Sequence, residues 1–313
     1  MNSFYNAANI GFTDLQKLDM LVHQNGIHHA FAEYAARVCY KSTARAGSSP
    51  AFVKKLIDSN HMDVFEHSDF VFWVDKLHPF MLNRYSWTYS YDDGSDEVLA
   101  AGSSRVFYEA MENGQLKEWQ VMILQSNFSA LFGEPATKLE RLESKQVSID
   151  PVFSGNGAVI YLLGGFGVRK DDTNFITRAT WLIEGVSRNF SHQIVRHRML
   201  SFSQESQRYV STKKGQWGAI VPKSIKDAGY APEYNEHYEK SLDLYEKLLA
   251  SGVNKEDARF VLPTGTETRM VVSGPIDGLN HFFEQRIDSA AQWEIRQVAT
   301  AMFSQLNALK YGS

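Results

Sequence analysis

The chain has 313 residues, of which 43% are hydrophobic and 22% charged, and a formal net charge of −4. This composition supports a large packed core and argues against a disordered chain or one that coats nucleic acid. The single cysteine, Cys39, excludes an intramolecular disulfide and a cysteine-built metal site.

The opening residues, MNSFYNAANIGFTDLQ, lack a basic start followed by an apolar run. No apolar stretch nears the roughly 20 residues that a membrane span needs. A cytoplasmic protein with no nucleic-acid or membrane partner is expected. Residues 28–40 (HHAFAEYAARVCY) read as an amphipathic helix, and Pro50 opens a second one, AFVKKLIDSN. DFVFWV then reads as a strand, rich in aromatic and β-branched residues.

Residues 76–175 carry turn clusters (YDDGSDE, SGNGA, LLGGFG) and predicted helices near 105–113 and 117–145. No Pro/Ser-rich linker sets this section off, so it reads as an insertion in one domain covering 1–313. ITRATWLIEG reads as a strand leading into a helix, SRNFSHQIVRHRM, and a polar segment, LSFSQESQRYV. Tyr and Leu recur at helical spacing over 231–251, with Gly252 as the stop. A short helix at EDARFVLP, a strand at TRMVVSG and two helical stretches over 275–310 complete the chain. Helices dominate this reading, so the expected fold is α+β, with mixed helices and a small antiparallel sheet. EVLAAGSSRVFYEAM echoes RMVVSGPIDGLNHFFEQR in layout (apolar strand, Gly, aromatic helix), although one pair of segments is weak evidence for a repeat.

The densest polar signal is QIVRHRMLSFSQESQRY, residues 193–209. Arg196, His197, Arg198 and Arg208 stand there among Ser and Gln, with no Lys. Planar guanidinium groups suit bidentate recognition of phosphate or of a carbonyl-bearing ring, while a solvated, capped helix end is the plain alternative. His61, Asp63, Glu66 and His67 lie close in sequence but match no zinc-helix spacing, so no metal site is expected. Arg286 lies in an apolar helix near His281, where an ion pair with Glu284 or Asp288 is the simpler expectation. There is no G-x-S-x-G elbow and no P-loop, and Cys39 sits in a predicted helix among apolar neighbours.

The string RHRMLSFSQESQRY resembles the signature of flavin-dependent thymidylate synthases, RHR followed by seven residues and a serine, here Arg196–Arg198 and Ser206. AARVCYKS, LIDSNHMDVFEHSDFVF, GVSRNFSHQIVRHR and DARFVLPTGTETRMVVSG with HFFEQRIDSAAQWEIRQVA resemble further family segments in the same order. The resemblance implies reductive methylation of dUMP to dTMP, with FAD as cofactor and NADPH and methylenetetrahydrofolate as co-substrates. It implies FAD contacts by Asp63, Arg196, His197, Arg198, Gln204 and His281. It implies dUMP contacts by Gln193, Arg196, Gln204, Ser206, Gln207, Arg208 and Arg259, with Arg286 as the catalytic arginine facing the uracil ring. Family members are homotetramers with shared active sites.

The chain departs from the family at three places. Asp63 stands where a small hydroxyl residue usually meets FAD, and Pro275 and Asp277 stand where Asn and Arg are usual. Ser103, Ser104 and Arg105 of the echo segment are candidates to replace the lost contacts. Two rival readings keep the same fold: C5 alkylation of another uracil nucleotide such as UMP (methylation or hydroxymethylation), and an inactive nucleotide-binding relative.

Overall fold

In a computed structural model, residues 2–5, 18, 21–22, 24–47, 50–75, 87–89, 97–133, 145–146, 152–153, 157–170, 173–210 and 217–311 are described. The elements in chain order are β1 (Asn2–Tyr5), α1 (Ile27–Cys39), α2 (Pro50–Asp58), a 3-10 turn (Met62–His67), β2 (Asp69–Asp75), β3 (Trp87–Tyr89), β4 (Glu97–Ser103), α3 (Ser104–Glu112), α4 (Glu118–Asn127) and α5 (Ser129–Phe132). There follow β5 (Lys145–Gln146), β6 (Val152–Phe153), β7 (Val159–Lys170), β8 (Thr173–Ser187), α6 (Arg188–Ile194), β9 (Ser201–Gln204), α7 (Lys223–Asp227), α8 (Ala231–Ala250), α9 (Lys255–Ala258), β10 (Glu267–Pro275), α10 (Ile276–Arg286) and α11 (Trp293–Tyr311).

The α+β expectation holds, but strands are more prominent than the sequence suggested. A seven-stranded sheet runs β5-β1-β7-β8-β10-β9, with β6 on β7, and a three-stranded sheet runs β2-β4-β3. Successive side chains of a strand point to opposite faces. In β7, β8 and β10 both faces are apolar. Ile160, Leu162, Trp181, Ile183, Met270 and Val272 face one core with residues of α10 and α11. Tyr161, Leu163, Leu182 and Val271 face the other, under Phe31, Tyr34 and Val38 of α1. Burial on both sides explains why these strands read as continuous hydrophobic runs.

The LLGGFG segment, expected to be a turn, lies inside β7. A Cβ on Gly165 would collide with Leu309 of α11, so the glycine reflects close helix approach rather than a chain reversal. The helix expected over 187–199 ends at Ile194. Leu200 is buried, and its side chain fills the space beside Gly274 where a Cβ would sit. Seating Leu200 there and pairing β9 with β10 take the chain out of the helix. The helix expected over 117–145 is broken into α4 and α5, and 134–144 lie outside the described residues.

The echo segment has a structural counterpart. In both β2-β4-β3 and β8-β10-β9, the last strand in sequence is central, antiparallel to both neighbours, and runs directly into a helix, α3 or α10. The registers agree as well. Asp69 pairs with Ser103 and Trp87 with Ala101, while Arg178 pairs with Pro275 and Ser201 with Ser273. Ser103 and Pro275 are the N-caps of α3 and α10. Asp69 and Arg178 therefore hold the same place in the two units.

The units meet at the Met62–His67 turn. The ring of His67, fully buried, bridges Ser273 Oγ at Nδ1 and Ser203 Oγ at Nε2, both at 2.9 Å. Thr180 Oγ1 donates to the His67 carbonyl at 3.0 Å. Burial holds the imidazole neutral, its pKa pushed down to about 3.

Candidate functional site

The start of α6 is fixed to α11. Ser187 caps the helix by accepting from the Phe190 amide at 3.1 Å, and it donates through its own hydroxyl and amide to the buried Glu294 at 2.6 and 2.7 Å. One turn beyond α6, His197 meets the last residue of α10. Arg286 Nε donates to His197 Nε2 at 2.9 Å. A guanidinium only donates, so Nε2 is the acceptor and His197 is neutral. Burial, then the Arg286 and His281 charges, lower its pKa to about 4. Phe282 packs edge-on against the His197 ring at 5.0 Å, and His281 lies at 6.3 Å.

The ion pair of Arg286 with Glu284 or Asp288 does not form. Among the described residues Arg286 has no carboxylate partner, and its Nη atoms make no hydrogen bond. The half-buried guanidinium is held at one nitrogen, with the others available to a ligand.

A second cationic group gathers around Ser206. The Ser206 amide donates to the Cys39 carbonyl at 2.9 Å, and its hydroxyl accepts from the Arg208 amide at 3.3 Å. Exposed Arg208 pairs with Glu256 at 3.1 Å, and Arg259 Nε donates to the Glu256 carbonyl at 3.1 Å. Arg188 lies close to Arg259. Burial and the Arg259 charge push its pKa down to about 10, so it stays cationic at neutral pH. Its Nη2 donates to the Glu205 carbonyl at 3.0 Å, and its buried Nε has no hydrogen-bond partner. The Glu205 carboxylate is itself held by Trp217 Nε1 at 2.5 Å and Arg269 Nε at 3.1 Å. Arg188 was not singled out from the sequence. The available signal was an arginine directly after a strand-ending serine, in a segment already matched for other reasons.

The remaining candidates are spread around these groups. Gln193 Nε2 reaches the Asn189 carbonyl at 3.3 Å and Gln292 Oε1 at 3.4 Å. Gln204 Nε2 donates to Thr268 Oγ1 at 3.2 Å, and Gln207 is buried. Arg196 is exposed, and exposed His281 contacts Gln285 at 3.1 Å. Asp63 is exposed on the 3-10 turn, where its charge acts on Cys39 and Tyr40. The Cys39 thiol is pushed up to about 12, first by burial and then by Asp63, which suits packing and not nucleophilic attack.

Arg198 does not share the Arg286 cluster. It lines a cavity of about 170 Å³ with Glu66, Ser103, Arg105, Arg178 and Ser201. Three arginines and two hydroxyls are a donor set that fits an anionic group such as the diphosphate of a flavin dinucleotide. Among the described residues no group of three or more His, Cys, Asp or Glu could hold a metal ion. Among them no helix is long and apolar enough to cross a membrane.

Residues 176–309 match the family model of the thymidylate synthase complementing proteins. The chain is 38% identical over 130 residues to a flavin-dependent thymidylate synthase of Pyrococcus furiosus, covering 41% of this chain and 53% of that one. It is 43% identical over 124 residues to the protein of that name from Geobacter sulfurreducens, covering 39% and 53%. It is 43% identical over 128 residues to the one from Sulfurisphaera tokodaii, covering 41% and 49%. The chain thus spans about half the length of the relatives it matches. The signature residues and α10 lie inside the region that is similar to the thymidylate synthase complementing proteins, with α11 as far as Leu309.

Proposed function

We propose that this chain is a flavin-dependent thymidylate synthase that converts dUMP to dTMP, with FAD as cofactor and methylenetetrahydrofolate and NADPH as co-substrates. The observation that carries the reading is the 2.9 Å contact between Arg286 and His197, which joins the end of α10 to the RHR segment. A neutral imidazole at Nε uses one donor and leaves the guanidinium charge intact. A fixed cation beside a uracil N3–H favours the deprotonated ring. That ring is richer in electrons, so C5 serves as the carbon nucleophile without thiol attack at C6. The high pKa of Cys39 agrees with such a route.

The cations Arg188, Arg208 and Arg259, with the Ser206 hydroxyl, form the group that would hold the nucleotide phosphate. Gln193, Gln204 and Gln207 supply uncharged partners for the sugar and base. FAD, when bound, supplies the redox chemistry. Arg196, His197, Arg198 and His281 are the residues that would hold it, with Asp63 at the rim. On this reading the chain is one synthase-like domain in which residues 76–175 are inserted. It acts as a cytoplasmic homotetramer whose sites draw on several subunits.

The test is direct. Purified protein with dUMP, methylenetetrahydrofolate, NADPH and FAD is expected to form dTMP, and UMP is expected to be a poor acceptor. Absence of dTMP from a folded, FAD-loaded protein that still binds dUMP would remove the reading.

A further inference from the structure

We infer that the cavity between the two β-sheet units is a diphosphate subsite, with one wall built by the start of α3 and by Arg105. The nine-residue helix α3 opens at this cavity. Its cap, Ser103, and its second residue, Arg105, both line it. A helix N-terminus carries a partial positive charge that favours an anion. The Ser104 amide is taken by the Ser68 carbonyl at 2.9 Å and the Val106 amide by Ser103 Oγ at 3.4 Å, so the Arg105 amide is the first-turn donor left to a ligand.

An independent observation comes from another residue of the lining. Arg178 is 4% exposed and also lines the cavity. Its Nε lies 3.5 Å from Asp69 Oδ1, while its buried Nη1 has no hydrogen-bond partner. A buried N–H of a cation left without an acceptor is costly, and a ligand oxygen would satisfy it. Arg198 completes the set, since it is exposed and makes no hydrogen bond or ion pair among the described residues.

Two carboxylates also line the space. Glu66 takes Arg105 Nη1 at 2.8 Å and Ser201 Oγ at 2.8 Å, and Glu109 takes Arg105 Nε at 2.9 Å. They orient Arg105 and offset its charge, and Asp69 offsets that of Arg178, so Arg198 is the lining cation with no carboxylate partner among the described residues. The equivalent junction of the second unit is unsuited to this role. The first turn of α10 carries the acidic Asp277 at the position where α3 carries Arg105. The first unit's junction therefore places a cation at the helix position where the second has an acidic residue.

Naming FAD as the source of the diphosphate rests on the function proposed above, whereas the anion subsite does not. Calorimetry with inorganic pyrophosphate, FAD and riboflavin separates the two. Wild-type protein is expected to bind pyrophosphate, to bind FAD more tightly than riboflavin, and to lose FAD as pyrophosphate is added. Arg105→Ala, at a half-exposed position, and Arg178→Lys, which keeps a cation beside Asp69, should each weaken pyrophosphate and FAD binding by about tenfold or more while riboflavin binding stays unchanged. Circular dichroism checks that each variant is folded.

Pyrophosphate binding that both variants weaken, without any FAD binding, would keep the subsite and remove the flavin reading. FAD bound equally by wild type and both variants would overturn the subsite and keep the flavin reading. A folded wild-type protein that ignores pyrophosphate would also overturn the subsite.

Discussion

Asp69 and Arg178 occupy the same register position in two β-sheet units of one plan, and they pair with each other, Oδ1 to Nε, at 3.5 Å. Thr177 Oγ1 supports the carboxylate at 3.0 Å. Burial nevertheless pushes the Asp69 pKa up to about 6 against the opposing pull of Arg178. The pair holds together the two strands whose partners, β4 and β10, lead into α3 and α10.

Arg286→Ala should leave the fold intact and lower kcat/KM for dTMP formation by about a hundredfold or more, the usual effect of deleting a fixed charge-stabilising donor. Steady-state assays with dUMP measure it. A loss under threefold would take Arg286 out of the reacting site.

Arg188→Gln should raise KM for dUMP by about tenfold and leave kcat nearly unchanged, since phosphate contacts act equally on ground and transition states. A fall in kcat at unchanged KM would contradict a phosphate-holding role.

Cys39→Ala should retain activity within about threefold, because a thiol held at about 12 is not a nucleophile near neutral pH. Complete loss of dTMP formation in a folded variant would overturn the thiol-independent route.

Acid should destabilise the protein through His67 and His197. Their folded pKa values, about 3 and about 4, lie below the ordinary 6.5, so the unfolded chain binds these protons first. Stability from these groups is full above pH 6.5 and declines as pH falls toward 4. Asp69 works in the opposite sense, since its raised pKa contributes stability below about 4 that is lost as pH rises through 6. His67→Gln should be less stable at pH 7, having lost at least one buried hydrogen bond, at about 1–3 kcal/mol. Its melting temperature should also vary less between pH 6.5 and 4.5. An unchanged slope would show that His67 is not the titrating group.

Gly185→Ala should cost about 1–2 kcal/mol in chemical denaturation. Gly185 has φ +71, and an added Cβ would lie 3.3 Å from the Ala158 Cα and the Gly157 carbonyl. Both neighbours are backbone and cannot swing aside. A neutral effect would mean that this contact of β8 with the residues just before β7 is looser than the geometry indicates.

The sequence by itself determined the RHR segment, the helices α1 and α8, and the apolar strands β8 and β10. Each is written locally, as a fixed polar spacing, a 3.6-residue period or a β-branched run. It left the glycines of β7 looking like a turn, because their reason is the approach of Leu309 from a helix far along the chain. It left α6 looking longer than it is, because the helix stops where Leu200 must reach Gly274. Tertiary structure alone decided that Arg286 meets His197 across 89 residues and not Glu284 or Asp288 in its own helix. It also brought Arg188 beside Arg259 and gathered Ser103, Arg105, Arg178 and Arg198 around one cavity. Those partnerships depend on strand order and register, which arise from packing the whole core and leave no mark in the spacing of neighbouring residues.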